Sequence, residues 1–264
     1  MSQLDGIYPP EEARELAFWV LEEMTGLSRA AISARKDTQN ISNIEIILQR
    51  LQKKEPIQYI FGHTLWVGLD LLVNSATLIP RPETAELVEL VLNTMPKDEP
   101  ISVLDIGTGS GAIALALKSK RQNWQITGLD ISRDALSIAK QNAIRNHLDV
   151  SFVQADILSD NLQFPAFDCV VSNPPYICEA EKVSMESNVL NYEPASALFV
   201  PDDDPLRFYR RIAALKLGKF LFFEINSRFG AEVAHLLREL GYTGVTVYQD
   251  IYGKQRMVSG RIEA

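Results

Sequence analysis

From Ile101 onward the chain repeats one unit: a short apolar run, a turn, then a helical stretch. The runs are "ISVLDIG", "QITGLD", "VSFVQAD", "FDCVVSN" and "KFLFFEIN". They are too continuously apolar for strands with one wet face, and the intervals are too long for hairpins. This spacing predicts an α/β fold, a mostly parallel Rossmann-like sheet with helices on both faces. Two further β-like runs, "TGVTVYQD" and "RMVSGRI", have no helix between them and are expected to pair antiparallel at one edge.

The first part of the chain follows another rule. Pro9 and Pro10 suit a helix start, and Ala13, Leu16, Ala17, Val20, Leu21 and Met24 recur at helical spacing before Gly26. A short helix is expected near Arg29–Ala34. Another is expected from about Ser42, with Ile44, Ile47, Leu48 and Leu51 on one face, stopping before Pro56. Residues 57–79 are aromatic and β-branched with glycine breaks, and read as a β-hairpin or a short strand pair. "PRPETAELVELVLNTM" then reads as a helix. The expected organisation is a small helical domain over 1–55, a hairpin linker over 56–82 and a catalytic domain over 83–264.

Composition excludes several classes. A net charge of −8 argues against a protein whose business is gripping a nucleic-acid backbone, so no direct nucleic-acid binding is expected. Cys169 and Cys178 are no disulfide framework, and His63, His147 and His235 lie too far apart to suggest a metal site. No apolar run approaches the roughly 18 residues of a membrane span. The first residues lack the basic and apolar regions of a signal peptide, so a cytoplasmic location is expected.

The first strand–turn–helix unit is "VLDIGTGSGAIALALK" at 103–118. Gly107, Gly109 and Gly111 sit where a Cβ would keep a ligand from the backbone N–H groups at a helix start. Asp130 ends the second run, where an acid grips ribose hydroxyls. These features alone suit a nicotinamide dinucleotide as well as S-adenosylmethionine. Asp105 before the glycines resembles the first motif of class I methyltransferases. Asp156 ends the third run, where it can meet an adenine amine, with Ile157 packing near the ring. Asn173 ends the fourth. Ligands of open α/β sheets bind beyond the carboxyl ends of strands, and all these residues fall there.

Asn173 opens the tetrapeptide Asn173-Pro174-Pro175-Tyr176. The Asn173 side-chain carbonyl and the Pro174 backbone carbonyl can accept both hydrogens of a planar NH2 group. Such a nitrogen is a poor nucleophile because its lone pair is delocalised. Holding both N–H groups aims it at a methyl donor and favours the charge that develops there. Tyr176 can stack on the flat group. The tetrapeptide therefore reads as methylation of a planar nitrogen, whether of adenine, guanine or glutamine.

"PIQYIFG" at 56–62, "LIPRPET" at 78–84, the glycine turn, "VSNPPY", "NYEPASALF" at 191–199 and "DIYGKQRMVSGR" at 250–261 follow one another in this order. Over essentially its full length the chain resembles the HemK/PrmC family of release-factor glutamine methyltransferases. The resemblance implies a helical N-terminal domain, a hairpin linker and a seven-stranded class I methyltransferase domain. It implies S-adenosylmethionine as cofactor and class 1 peptide chain release factors as protein substrates, methylated on the glutamine of Gly-Gly-Gln. Carried over by motif, Gly107, Thr108, Gly109, Ser110, Gly111, Asp130, Asp156, Ile157 and Asn173 hold the cofactor. Asn173, Pro174, Pro175 and Tyr176 hold the glutamine, with Asn173, Pro174 and Tyr176 catalytic. Arg81 and Glu83 are expected to be structural or substrate-facing near the site.

The chain departs from the family pattern in places. Ala85 stands where a second acid is usual, with Glu86 one place on. "EIN" at 224–226 replaces E-I-G, a change of turn expected to touch no residue of the chemistry. Ile157 offers an apolar face where an aromatic ring is common. Asp202, Asp203 and Asp204 read as a solvated loop, and Cys178 as a bystander. An adenine-amine nucleic-acid methyltransferase is the alternative within the class, disfavoured by charge. An NAD(P)-dependent oxidoreductase, or a cofactor-binding scaffold without catalysis, is the alternative outside it.

Overall fold

The computed structural model describes residues 2–4, 6–34 and 43–262. Helix α1 spans Pro10–Thr25, with Glu11 and Glu12 in its first turn, where negative charge meets the positive end of the helix dipole. Gly26, in the left-handed region, closes it by donating to the Glu22 carbonyl. α2 is Arg29–Ala34 and α3 is Ile44–Gln52. The expected start of α3, Ser42, lies outside the described residues.

The linker differs from its sequence reading. Residues Ile57–Phe61 form a helix, α4, and the hairpin is confined to β1 (His63–Trp66) and β2 (Leu69–Leu72). The brackets decide it. Pro56 stands at the N-cap, and Gly62, with φ +78°, closes the helix by donating to Gln58. Ile57 is buried with Leu4, Ala13, Val20 and Leu51, and Ile60 and Phe61 pack on that cluster. α4 thus completes the helical core. Val67 and Gly68, both at positive φ, make the two-residue turn, which matches the twist of paired strands.

The remainder is a seven-stranded sheet. Its elements are α5 (Thr84–Thr94), β3 (Ser102–Ile106), α6 (Ala112–Lys120), β4 (Gln125–Asp130), α7 (Arg133–Arg145), β5 (Ser151–Gln154) and β6 (Phe167–Ser172). Next come β7 (Ile177–Cys178), α8 (Ser187–Tyr192), β8 (Phe199–Val200), α9 (Arg207–Leu215), β9 (Gly218–Glu224), α10 (Gly230–Glu239), β10 (Thr243–Gln249) and β11 (Gln255–Arg261). The large sheet runs β10-β11-β9-β6-β3-β4-β5, and β7 pairs with β8 outside it. Only β11 is reversed, inserted between β9 and the edge strand β10.

Alternation within the buried strands feeds two cores. Val103, Val171 and Phe222 face α5 and α6, while Leu104, Val170, Leu221 and Phe223 face α9 and α10. The strand order reverses at β3, whose neighbours are β4 and β6, so the carboxyl ends of these strands open a crevice. The hairpin is fastened to the sheet domain by two amides one turn apart, Asn142 on α7 and Asn146 at its C-cap. Asn142 bonds both the N–H and the carbonyl of Leu72 (2.6 and 3.0 Å), and Asn146 does the same for Asp70 (3.2 and 2.9 Å).

Candidate active site

At the reversal point lies a cleft of about 250 Å³. Gly107, Gly109, Asp130, Asp156, Ile157, Asn173, Pro174 and Pro175 all line it. Thr108, Ser110, Gly111 and Tyr176 do not. Eight of the residues singled out in the sequence therefore share one wall, and four stand behind it.

The glycines divide by role. A Cβ on Gly107 or Gly109 would meet no atom nearer than 4.0 Å, so their side of the turn is open. Gly111 is different. Its φ is +82°, and a Cβ would lie 3.2 Å from Ala139 and Leu115. It lets α6 start against α7. The turn is held from beneath, with Gly107 and Thr108 both donating to the Leu129 carbonyl (2.8 and 2.9 Å). The Thr108 hydroxyl donates to Asp105 (2.6 Å), and the Ser110 carbonyl accepts from Asn142 (2.9 Å).

Asp105 is fully buried. One carboxyl oxygen accepts from Thr108 and from the Ala114 N–H, and the other has no hydrogen-bond partner among the described residues. Burial pushes its pKa up to about 7. Asp130 accepts from the Gly109 N–H on one oxygen and the Ser132 N–H on the other, each at 2.9 Å. Burial raises this carboxyl too, opposed by those N–H groups. A carboxylate has about four lone-pair sites, so Asp130 keeps acceptor capacity beyond these two bonds. Ile131, Ile157 and Leu158 supply apolar walls, and α9 adds Phe208, an aromatic ring that the sequence offered no signal to place here.

Asn173 donates from Nδ2 to the Thr84 hydroxyl at 3.2 Å. Thr84 donates to Glu224 at 2.7 Å, and the Tyr176 hydroxyl donates to the other Glu224 oxygen at 3.1 Å. Glu224 is buried, as is Thr84. Neither Thr84 nor Glu224 was singled out in the sequence. The usable signal was a carboxylate ending the apolar run "FLFFE", as Asp105 follows "VL". The "EIN" reading is corrected by the same region. Asn226 donates to the Tyr176 carbonyl (3.2 Å) and to Glu181 (3.0 Å), so the departure from glycine touches the tetrapeptide directly.

Arg81 is structural. Its guanidinium pairs with buried Glu193 at 2.6 Å, and Glu193 also accepts the Ile79 N–H. "NYEP" thereby holds the linker, whose Thr77 and Leu78 line the cleft. Glu86 accepts from the Ile251 N–H (3.3 Å) and Ala85 packs on the core. Asp202 caps Ala180 and Asp204 pairs with Arg210, so these acids face different partners.

Known proteins place this geometry. Residues 2–62 match the PrmC N-terminal domain, and residues 86–192 match the methyltransferase small domain. The chain is 43% identical to the release factor glutamine methyltransferase of Bacteroides thetaiotaomicron, over 97% of this chain and 95% of that protein. The chain belongs to the release factor glutamine methyltransferase family. The family member of Flavobacterium psychrophilum is 39% identical over 97% of this chain and 94% of its own length. A methyltransferase from Pyrococcus furiosus shares the fold, with a TM-score of 0.55 and 16% identity over 84% of this chain and all of that one. The chain is thus an enzyme, a methyltransferase with a class I sheet.

Proposed function

We propose that this chain transfers a methyl group from S-adenosylmethionine to the side-chain amide of the glutamine in the Gly-Gly-Gln motif of class 1 release factors. The observation that carries this reading is Asn173. It lines the same cleft as Gly107 and Asp130, and its NH2 end is tied to Thr84, which leaves its carbonyl as an acceptor. The names of the relatives point to glutamine rather than a base.

The cleft suits the cofactor. Gly107 and Gly109 leave room for its backbone approach, Asp130 keeps acceptor capacity for ribose hydroxyls, and Asp156 with Ile157 suits an adenine edge and face. When bound, S-adenosylmethionine supplies an electrophilic sulfonium methyl and leaves as S-adenosylhomocysteine. The carbonyls of Asn173 and Pro174 hold the two hydrogens of the substrate amide and favour charge developing on its nitrogen. Pro174 and Pro175 bring no N–H to compete for those acceptors. Tyr176 packs on the sheet core behind the cleft and anchors the turn through Glu224, in place of the stacking expected of it. No base need act first, because the methylated nitrogen is acidic and sheds its proton afterwards.

The domain roles follow. The helical unit over 1–55 meets the folded release factor, the segment 56–82 sets its position, and 83–264 carries the chemistry. Among the described residues no helix is long and apolar enough to cross a membrane. Bacterial relatives and a release-factor substrate support a cytoplasmic site of action. Mass spectrometry of an unmethylated release factor after incubation with enzyme and S-adenosylmethionine tests the reading. One added methyl on the glutamine of Gly-Gly-Gln is expected, and an unmodified glutamine would refute it.

A further inference from the structure

Asn173 ends a chain of side chains drawn from distant parts of the sequence. Thr84 comes from the first turn of α5, Glu224 from the end of β9, and Tyr176 from the loop after β6. The links are Asn173 Nδ2 to Thr84 Oγ1, Thr84 Oγ1 to Glu224 Oε2, and Tyr176 OH to Glu224 Oε1. Beneath it, the Tyr209 hydroxyl donates to the Glu224 backbone carbonyl at 3.1 Å and its ring meets Phe223 edge-on at 5.1 Å. The strand end that carries the carboxylate is therefore fixed.

Counting protons along this chain gives a directed result. Burial raises the Glu224 carboxyl, opposed by the Thr84 and Tyr176 hydroxyls and by the Arg256 charge. Ionised, it only accepts, so both Glu224 oxygens take hydrogens, one from Thr84 and one from Tyr176. A threonine hydroxyl has a single proton, and here it is spent on Glu224. Towards Asn173 the Thr84 oxygen can offer only a lone pair. The NH2 end of the Asn173 amide satisfies that lone pair. The reverse orientation would set two acceptors against each other with no proton between them, in a place where Thr84 is 5% exposed and water cannot readily relieve the conflict.

We propose that Glu224 and Thr84 are positioning residues that fix the orientation of the Asn173 amide, so that its carbonyl and not its NH2 group meets the reacting nitrogen. This rests on the proposed function and deepens it. An acceptor pair made of Asn173 Oδ1 and the Pro174 carbonyl suits a nucleophile that brings two hydrogens on one planar nitrogen, as the primary amide of the proposed glutamine does. Were the amide turned over, it would present donors and repel the same group. Selectivity for the substrate's chemistry is thus set two residues away from the cleft, by the carboxylate at the end of β9. Thr84 is the first residue of α5, after the N-cap Glu83, and its hydroxyl bonds to Glu224.

Thr84→Val removes the lone pair at nearly constant shape, and Thr84→Ser keeps it while losing only a methyl group. In single-turnover methylation of an unmethylated release factor, Thr84→Val should lower the rate about tenfold, as expected for a mis-set reacting geometry. KM for the release factor and affinity for S-adenosylmethionine should hold. Thr84→Ser should retain most of the rate. A packing role predicts the reverse order. On an Asn173→Ala background, Thr84→Val should cost less than about twofold, because its effect runs through Asn173. A readout free of turnover completes the test. With asparagine-selective 15N labelling, the Asn173 side-chain NH2 should exchange slowly in the cofactor-free wild type and in Thr84→Ser, and quickly in Thr84→Val. Equal rates for Val and Ser, a Val penalty that persists without Asn173, or unchanged NH2 exchange would each overturn the positioning role. A wild-type enzyme that leaves the glutamine unmethylated would instead overturn the proposed function, whatever the exchange shows.

Discussion

Asp105→Asn should make the protein more stable than wild type at neutral pH, and the gain should disappear in acid. The carboxyl has no exposure to solvent, one of its oxygens has no partner among the described residues, and the nearby Asp130 charge adds to the cost of ionising it. Moving such a group from an ordinary 3.8 in the unfolded chain to about 7 in the folded one corresponds to about 4 kcal/mol. The folded protein then binds a proton that the unfolded chain has already released between those pH values. Stability is present in full below the lower pKa and falls as pH rises through the window, levelling off above the upper one. Asparagine has no proton to lose, and its carbonyl can replace the oxygen that accepts from Thr108 and Ala114. Urea unfolding of both cofactor-free proteins from about pH 4 to pH 8.5 gives the difference directly. The margin in favour of Asn should widen by about 4 kcal/mol across the range. Parallel curves, within about 1 kcal/mol throughout, would refute the account of this site.

Asp130→Ala should weaken S-adenosylmethionine binding by about 10–150-fold, roughly 1.5–3 kcal/mol of charged hydrogen bonds to ribose. Calorimetry that returned wild-type affinity would show the ribose site to be elsewhere. Gly111→Ala should cost about 1–3 kcal/mol of stability, because its Cβ crowds Ala139 and Leu115 at positive φ. Gly109→Ala, with open space before it, should cost less in thermal unfolding and more in cofactor affinity. His63 bridges Glu23 and Asp70, at 3.2 and 2.9 Å. Burial opposes its charge, but the two carboxylates prevail and raise its pKa above 6.5. Its contribution is complete below 6.5 and is lost as pH rises through the raised value. His63→Ala should therefore destabilise more at pH 6 than at pH 9, by under about 1 kcal/mol for so solvated a cluster. An equal cost at both pH values would remove His63 from that role.

The strand–helix alternation was legible because parallel strands are covered on both faces and must be apolar throughout. The cleft wall was legible for the same reason, since each strand end was marked by a glycine, an acid or Asn173. The segment "IQYIF" was misread because aromatic and β-branched residues suit strands, whereas Pro56 and Gly62, a helix start and a helix stop, decided its form. The Glu224–Thr84 pair was invisible for another reason. Its members lie 140 residues apart, and only the folded sheet brings a threonine from α5 to the end of β9. Asn226 looked remote from the chemistry because a turn residue shows its partners only once Tyr176 is placed beside it.

The Asn173 carbonyl is the centre of the proposed chemistry. Single-turnover methylation of a release factor carrying Gly-Gly-Gln, with S-adenosylmethionine saturating, measures it directly in wild type and Asn173→Ala. Alanine removes the acceptor without adding bulk and leaves the sheet and the Asp130 site in place. The rate should fall by on the order of 10²–10³-fold, the loss expected for one preorganised contact at a reacting centre, with cofactor affinity largely retained. A rate near wild type would contradict it.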